Sequence, residues 1–271
     1  MAVSYSSAGE LRVRWVCVVV DLRLGDCLTP DGLATLTDNA VDASITDPPF
    51  DARTHRAALE VGHGQSGRRA INGTLPFEPL DDAKIAAAAA ELVRISRRWI
   101  IVFAGECQLD TWRRALEDAG GRFIRYGIAE RTNPRPQMSG DRPAVGADLL
   151  VIAHSRRERL RWNGGGRPAH WKASAARFDP GGQVHPTQKP LALMRSLVED
   201  FTTAGEVVLD PFAGAGSTAV ACKQTGRSFI GWERNTSYHA AAVKRLQDAR
   251  EQLALTGTAE PLAKQLPIEL K

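Results

Sequence analysis

Hydrophobic positions along this chain follow two rhythms. Short, nearly continuous apolar runs at 16–24, 41–46 and 99–104 predict buried strands, and 122–129, 147–153, 206–209 and 228–232 read the same way. Between them, 82–98, 111–119, 217–224 and 238–255 carry helical spacing. In the first of these Ile85, Leu92, Val93 and Ile95 form an apolar face beside an alanine run, and Leu191, Met194, Leu197, Val198 and Phe201 recur at the same spacing after Pro190. Such alternation predicts an α/β protein with a largely parallel sheet covered on both faces. Two stretches break the rhythm: a polar, glycine-bearing loop at 51–79 and a segment rich in arginine and tryptophan at 156–183. Loops of that length inside an α/β domain carry function or lack order. The tail from Thr256 reads as frayed, and no internal repeat is present.

With 271 residues, 43% of them hydrophobic, the chain suits one large α/β domain or one domain with a smaller insertion. Cys17, Cys27, Cys107 and Cys222 are far apart, with no CxxC pair and no histidine cluster at zinc spacing. Neither a disulfide framework nor a metal site is expected. The apolar run at 15–20 is too short to span a membrane and lacks the order of a signal peptide. The expectation is a soluble, cytoplasmic protein in a reducing compartment.

A formal net charge of +4 hides an asymmetry. Between positions 122 and 179 stand 12 basic and 5 acidic residues, and 11 of the 12 are arginine. Arginine presents planar donors to phosphates and guanine edges. Trp162 and Trp171 lie among them in Gly/Pro-rich sequence. This segment reads either as a solvated basic loop or as a nucleic-acid surface.

Two turns carry candidate chemistry. In Leu209-Asp210-Pro211-Phe212-Ala213-Gly214-Ala215-Gly216-Ser217-Thr218 a buried strand enters a glycine turn and then a helix, whose free N–H groups and missing side chains let a ligand approach the backbone. Glu233, 19 residues after Gly214, ends the next strand and could accept ribose hydroxyls. An adenosine site fits, and a dinucleotide site for NAD or FAD stays open because Gly214-x-Gly216-x-x-Ala219 satisfies a loose fingerprint. The second turn, Asp47-Pro48-Pro49-Phe50, ends another strand. Its prolines fix φ and remove two N–H donors, leaving one carboxylate, carbonyl acceptors and an aromatic ring. That set suits an exocyclic amine, accepted by Asp47 and a backbone carbonyl while Phe50 stacks on the attached base.

Together these motifs resemble the DNA amino-methyltransferases that use S-adenosyl-L-methionine. The resemblance rests on DPPF at 47–50, HPTQKP at 185–190, LDPFAGAGSTAVA at 209–221, GWERN at 231–235, the Tyr238 helix with Arg245, and the turn Leu24-Gly25-Asp26-Cys27. The proline turn precedes the glycine turn, the permuted order of the β class. The resemblance implies a doubly wound, mostly parallel, seven-stranded Rossmann-like sheet with an inserted target-recognition region. On that basis residues 1–154 hold the catalytic half, 155–183 the target-recognition insertion, 184–255 the cofactor-binding half and 256–271 the tail.

What the resemblance implies for the site is specific. Asp47, Pro48, Pro49 and Phe50 are the catalytic turn. Asp210, Pro211, Phe212, Ala213, Gly214, Gly216, Ser217 and Thr218 wrap the cofactor, with Asp47 and Arg234 beside it. Glu233 holds the ribose, Asp26 and Cys27 lie near the adenine, and Thr187 and Lys189 reach the methionine end. Arg53, Arg56, Arg68 and Arg69 after the catalytic turn would clamp a displaced DNA strand, together with Arg135, Arg156, Arg157, Arg159, Arg161, Arg167 and Lys172. His55 and His63 read as solvated.

The implied function is methylation of a flipped-out adenine at N6 in double-stranded DNA, as in restriction–modification systems, though no cognate endonuclease is indicated. Asp at the first position of the turn is more usual for adenine; cytosine-N4 enzymes more often carry Ser, and that chemistry is the alternative, with RNA amino-methylation behind it. Phe50 departs from the usual Tyr, so stacking survives and a hydroxyl contact is absent. Cytosine-C5 chemistry needs a thiolate that no cysteine here supplies in a suitable motif. An NAD oxidoreductase accounts for the glycine turn but not for DPPF, and a DNA-binding protein without activity would not need Asp47. Enzymes of the class are often dimers.

Overall fold

In the computed structural model, residues 2–5, 11–14, 18–50, 79–134, 136–174, 176 and 188–255 are described, with the backbone alone at 2–5, 11–14 and 250–255. Arg53, Arg56, Arg68, Arg69, His55, His63, Arg135, Thr187, Cys17 and the tail from Thr256 lie outside the described residues.

Strand β4 (Val41–Thr46) is buried along its whole length although it carries Asp42, Ser44 and Thr46. Buried polar groups must be paired, and each of these is tied to a neighbouring strand. Asp42 Oδ2 accepts the Val207 N–H at 2.8 Å, the Ser44 and Ser96 hydroxyls lie 2.7 Å apart, and Thr46 Oγ1 donates to Asp210 Oδ1 at 2.7 Å. The polar half of the strand therefore fixes its neighbours, while Val41, Ala43 and Ile45 feed the two cores.

Around β4 the sheet is ordered β3 (Val20–Leu24), β10 (Ser228–Glu233), β9 (Val207–Asp210), β4, β5 (Ser96–Ala104), β7 (Ala147–His154), β6 (Arg122–Arg131) and β8 (His170–Ala173). All pairings are parallel except those of β7, which runs against both β5 and β6. A separate antiparallel pair, β1 (Ala2–Tyr5) and β2 (Leu11–Arg14), precedes it. Helices α1 (Asp82–Ile95) and α2 (Leu109–Asp118) cover one face, over Ile100, Val102 and Val151. Helices α3 (Leu191–Phe201), α4 (Ser217–Thr225) and α5 (Thr236–Leu255) belong to the other, over Ile45, Ile101 and Phe103. The expected doubly wound, mostly parallel Rossmann-like sheet is what the chain forms.

Two details depart from the sequence pattern. The main sheet has eight strands rather than seven, because His170–Ala173 within the Arg/Trp segment pairs with the edge of β6. Its burial alternates exposed and buried, a two-residue period too short to stand out among glycines and prolines. Helix α1 also stops at Ile95, three residues short of expectation. Ser96 turns extended to meet Ser44, and Arg98 is spent on an ion pair with Glu206 at 2.5 Å.

The two tryptophans of the Arg/Trp segment join the core, Trp171 buried and Trp162 half-buried against it. Trp162 and Trp171 pack on Phe201 at the end of α3, with ring centroids 5.0 and 6.0 Å away, and Trp99 closes the cluster at 5.2 Å. Trp171 Nε1 donates to Asp200 Oδ2 at 2.8 Å. Strand polarity also sorts the arginines. Because β7 runs antiparallel to β5, Asp148 at its start lies at the edge where the parallel strands end, and His154 lies at the opposite edge. Arg156, Arg157 and Arg159 follow His154 and are exposed there. Arg161 pairs with Glu206 just before β9 at 2.5 Å, and Arg167 pairs with Asp200 near the end of α3. Of the expected DNA contacts among the described residues, Lys172 alone sits toward the carboxyl edge, 3.2 Å from Glu130 near the end of β6.

Candidate active site

At the carboxyl edge, two turns bound a cleft of about 640 Å³. Asp47-Pro48-Pro49-Phe50 leaves β4, and Asp210-Pro211-Phe212-Ala213-Gly214 leaves β9. From β4 the chain proceeds outward to β5 and beyond, whereas from β9 it proceeds the other way to β10. Ligands of doubly wound sheets bind at this reversal, where the two loops part.

The turns are joined by one buried carboxylate. Asp210 is 2% exposed. Its Oδ1 accepts Thr46 Oγ1 at 2.7 Å and the Phe212 N–H at 3.1 Å, and its Oδ2 accepts Thr218 Oγ1 at 2.6 Å. Burial pushes its pKa up to about 6 against these three bonds, and the charge of Asp47 adds to the rise. Asp210 and Thr218 border the cleft, but their polar atoms are turned on each other, so they shape the turn rather than offer groups to a ligand.

The glycines divide similarly. Gly214 has φ +54°, and a Cβ built there would meet no described atom within 4 Å, so its face is left to the cleft. Gly216, expected to wrap a cofactor, is absent from the cleft wall; at φ +75° its Cβ would stand 2.9 Å from Ala242 Cβ. Close packing of α5 is what requires glycine there. Ser217, at the start of α4, donates to the Lys189 carbonyl at 3.0 Å, and Arg245 reaches the Ala215 carbonyl at 2.5 Å. These bonds seat the end of the HPTQKP segment and the α5 helix against the glycine turn.

On the far side, Glu233 closes β10 and accepts the Asn235 N–H at 2.6 Å. Burial raises its pKa, opposed by backbone N–H donors from Asn235 and Gly214. The Glu233 carbonyl accepts the Gly25 N–H at 3.0 Å, which holds Asp26 and Cys27 beside it on the cleft wall. Asp26 is exposed and accepts the Leu28 N–H at 2.9 Å. Cys27 is 3% exposed and its thiol is pushed up by burial, so it is a neutral wall residue and no nucleophile. Arg234 stands exposed at the rim.

Lys189 is placed differently from expectation. Its Nζ is 2.7 Å from Asp47 Oδ2, and the side chain is only 8% exposed. Its ammonium is thus already paired with the proline turn, although the residue still lines the cleft. Asp47 Oδ1 is buried without a hydrogen-bond partner among the described residues. Burial raises the Asp47 pKa, Lys189 pulls it back, and Asp148 adds to the rise. Asp148 and its partner Arg131 were not singled out from the sequence; a lone acid opening an apolar strand, Asp148-Leu149-Leu150-Val151, was the available sign. The amino end of α1 also enters the wall through Leu80, Asp81 and Lys84, which the reading of that helix as pure core did not anticipate.

Comparison with known proteins identifies the family and the fold. A family described as DNA methylase matches residues 110–244. The Escherichia coli (strain K12) protein named "Putative methylase YubD" is 31% identical over 235 residues, covering 82% of this chain and 88% of that one. The chain belongs to this family of N6/N4 DNA methylases. Among solved structures, the M1.HpyAVI–SAM complex superposes with a TM-score of 0.63 at 24% identity, covering 84% of this chain and 99% of that one. The cytosine-N4-specific PvuII DNA methyltransferase gives 0.64 at 14% identity, covering 89% and 94%. Both share the fold.

The Asp210 node has a pH signature. An acid whose folded pKa is raised contributes stability that is present below its unfolded value, 3.8, and lost as pH rises through about 6. That loss amounts to about 3 kcal/mol. Asp210→Asn keeps an oxygen for Thr46 and Phe212 and gives Thr218 a donor, so it should gain on the wild type between pH 4 and pH 7 in urea unfolding. A stability difference that is flat over that range would contradict the assignment.

Proposed function

We propose that this protein transfers a methyl group from S-adenosyl-L-methionine to the N6 amine of an adenine flipped out of double-stranded DNA. The observation that carries the reading is the convergence on one cleft of the glycine turn and Asp47, whose buried Oδ1 has no partner among the described residues. Glu233, Phe212, Gly214, Asp26 and Cys27 are the groups that would hold the cofactor. The fit rests on the open face of Gly214 and on a carboxylate beside it at the end of the next strand. When bound, the cofactor supplies an electrophilic methyl on a sulfonium.

The protein's own contribution is positional. An exocyclic amine has its lone pair delocalised into the base. Asp47 Oδ1 and the Pro48 carbonyl accept its two N–H bonds, which favours the geometry in which that lone pair is available. Phe50, half-buried on the cleft wall, offers a face for the extracted base, whose unstacking costs a few kcal/mol. Asp rather than Ser at the first position supports adenine; the shared fold with a cytosine-N4 enzyme keeps that base as the second reading. Asp47→Ala should abolish methylated nucleosides in DNA while cofactor binding by calorimetry persists. Mass spectrometry of the digested DNA separates N6-methyladenine from N4-methylcytosine, and an active Asp47→Ala variant would refute the mechanism.

DNA would approach the carboxyl edge, with Arg53, Arg56, Arg68, Arg69, Arg135 and Lys172 as proposed phosphate contacts. Arg156, Arg157, Arg159, Arg161 and Arg167 belong to the opposite edge by strand polarity and are removed from that surface. Affinity for duplex DNA should fall with salt, with a log–log slope of roughly one per phosphate contact. Joint replacement of Arg156, Arg157 and Arg159 by serine should leave that slope unchanged in fluorescence anisotropy, whereas Arg53→Ser with Arg56→Ser should flatten it. The reverse pattern would move the DNA to the other edge.

A further inference from the structure

We infer that Lys189 is a positioning residue for Asp47: backed by Asp148 and Arg131, it anchors one oxygen of the carboxylate and leaves the other, which has no partner among the described residues, for the target amine. The inference rests on the amino-methylation reading and deepens it. The geometry is a chain of alternating charges from three strands and the segment before α3. Lys189 Nζ lies 2.7 Å from Asp47 Oδ2 and 3.9 Å from Asp148 Oδ1. Arg131 grips Asp148 with two bonds, Nη2 to Oδ1 at 2.6 Å and Nε to Oδ2 at 3.1 Å. The Lys189, Asp47 and Asp148 side chains are 8%, 20% and 7% exposed, so little solvent screens them. The Phe103 and Phe50 rings flank the ammonium, with centroids 4.8 and 5.3 Å from Nζ.

This arrangement answers a specific need. A carboxylate with two free oxygens can rotate and can be protonated when its site is dry. With Oδ2 tied to Lys189, only Oδ1 is left, and it is the buried oxygen without a partner among the described residues. Two cations and two anions balance the cluster, and Lys189 opposes the rise that burial gives the Asp47 pKa. The charged groups that face Asp47 are Lys189, Asp148 from β7 and Arg131 from β6, with Asp210 from β9 coupled to it more weakly. Lys189 favours the ionised form and Asp148 opposes it, whereas Asp148 is itself held low by Lys189 and Arg131 against its burial.

The test uses the two opposed neighbours. In the ligand-free full-length protein, carboxyl ¹³C NMR follows the titration of Asp47, identified by the resonance that Asp47→Asn removes. Lys189→Met should raise the Asp47 midpoint by about one to three pH units, and Asp148→Asn should lower it. The acid limb of the kcat–pH profile should shift in the same two directions, and kcat of Lys189→Met at neutral pH should fall roughly 10²-fold. A purely structural role would not give shifts of opposite sign. If neither variant moves the midpoint, or both move it the same way, the inference is overturned. Should Lys189→Met fail to fold, a midpoint unmoved or raised in Asp148→Asn overturns it alone. Wild-type protein that titrates as described but leaves DNA unmethylated would refute the proposed function instead.

Discussion

One buried carboxylate holds the site together. Asp210 receives a hydroxyl from the strand that ends in the proline turn, a hydroxyl from the helix after the glycine turn, and a backbone N–H from between them. Without it, β4 and β9 would still pair, through Ala43 with Val208 and Ser44 with Leu209, but their exit directions would not be coupled. The cost is a carboxylate held out of water, visible in its raised pKa. A group this costly to bury in a core is consistent with a site in which the relative placement of two loops matters more than stability.

Around that node the electrostatics are arranged in layers. Asp210 neutralises nothing and is satisfied only by hydrogen bonds, whereas Asp47, one residue beyond Thr46, sits in a balanced cluster of two cations and two anions. The first carboxylate fixes backbone, and the second belongs to a cleft-lining residue with one oxygen held by Lys189. Glu233 and the Gly25–Asp26 turn lie on the opposite wall, tied to each other by a backbone hydrogen bond. The cleft therefore has a carboxylate on each wall, with the glycine turn between them, the arrangement on which the proposed base and ribose contacts rest.

Much of this was legible in the sequence because the informative residues cluster within turns. Asp47-Pro48-Pro49-Phe50 and the Phe212–Gly214 stretch announced a strand end and a close backbone approach, and parallel topology does the rest by collecting strand ends at one edge. Partners separated by long stretches of chain were not legible. Nothing local in Thr46 indicates Asp210, 164 residues away, and Lys189 finds Asp47 across 142 residues. The placement of the arginine segment was not legible for a related reason: composition registers charge but not strand direction, and β7 carries Arg156–Arg159 to the edge away from the cleft. Trp162 and Trp171, near-neighbours of arginines in sequence, bury themselves against Phe201 because α3 supplies an apolar end.

The central claim is that two loops from distant parts of the chain present a methyl donor to a carboxylate-held amine. A crystal structure of the protein with S-adenosyl-L-methionine tests it directly. The account requires the ribose on Glu233 and the sulfonium methyl directed toward the free oxygen of Asp47. A cofactor lying elsewhere, or one whose methyl faces away from Asp47, would contradict it.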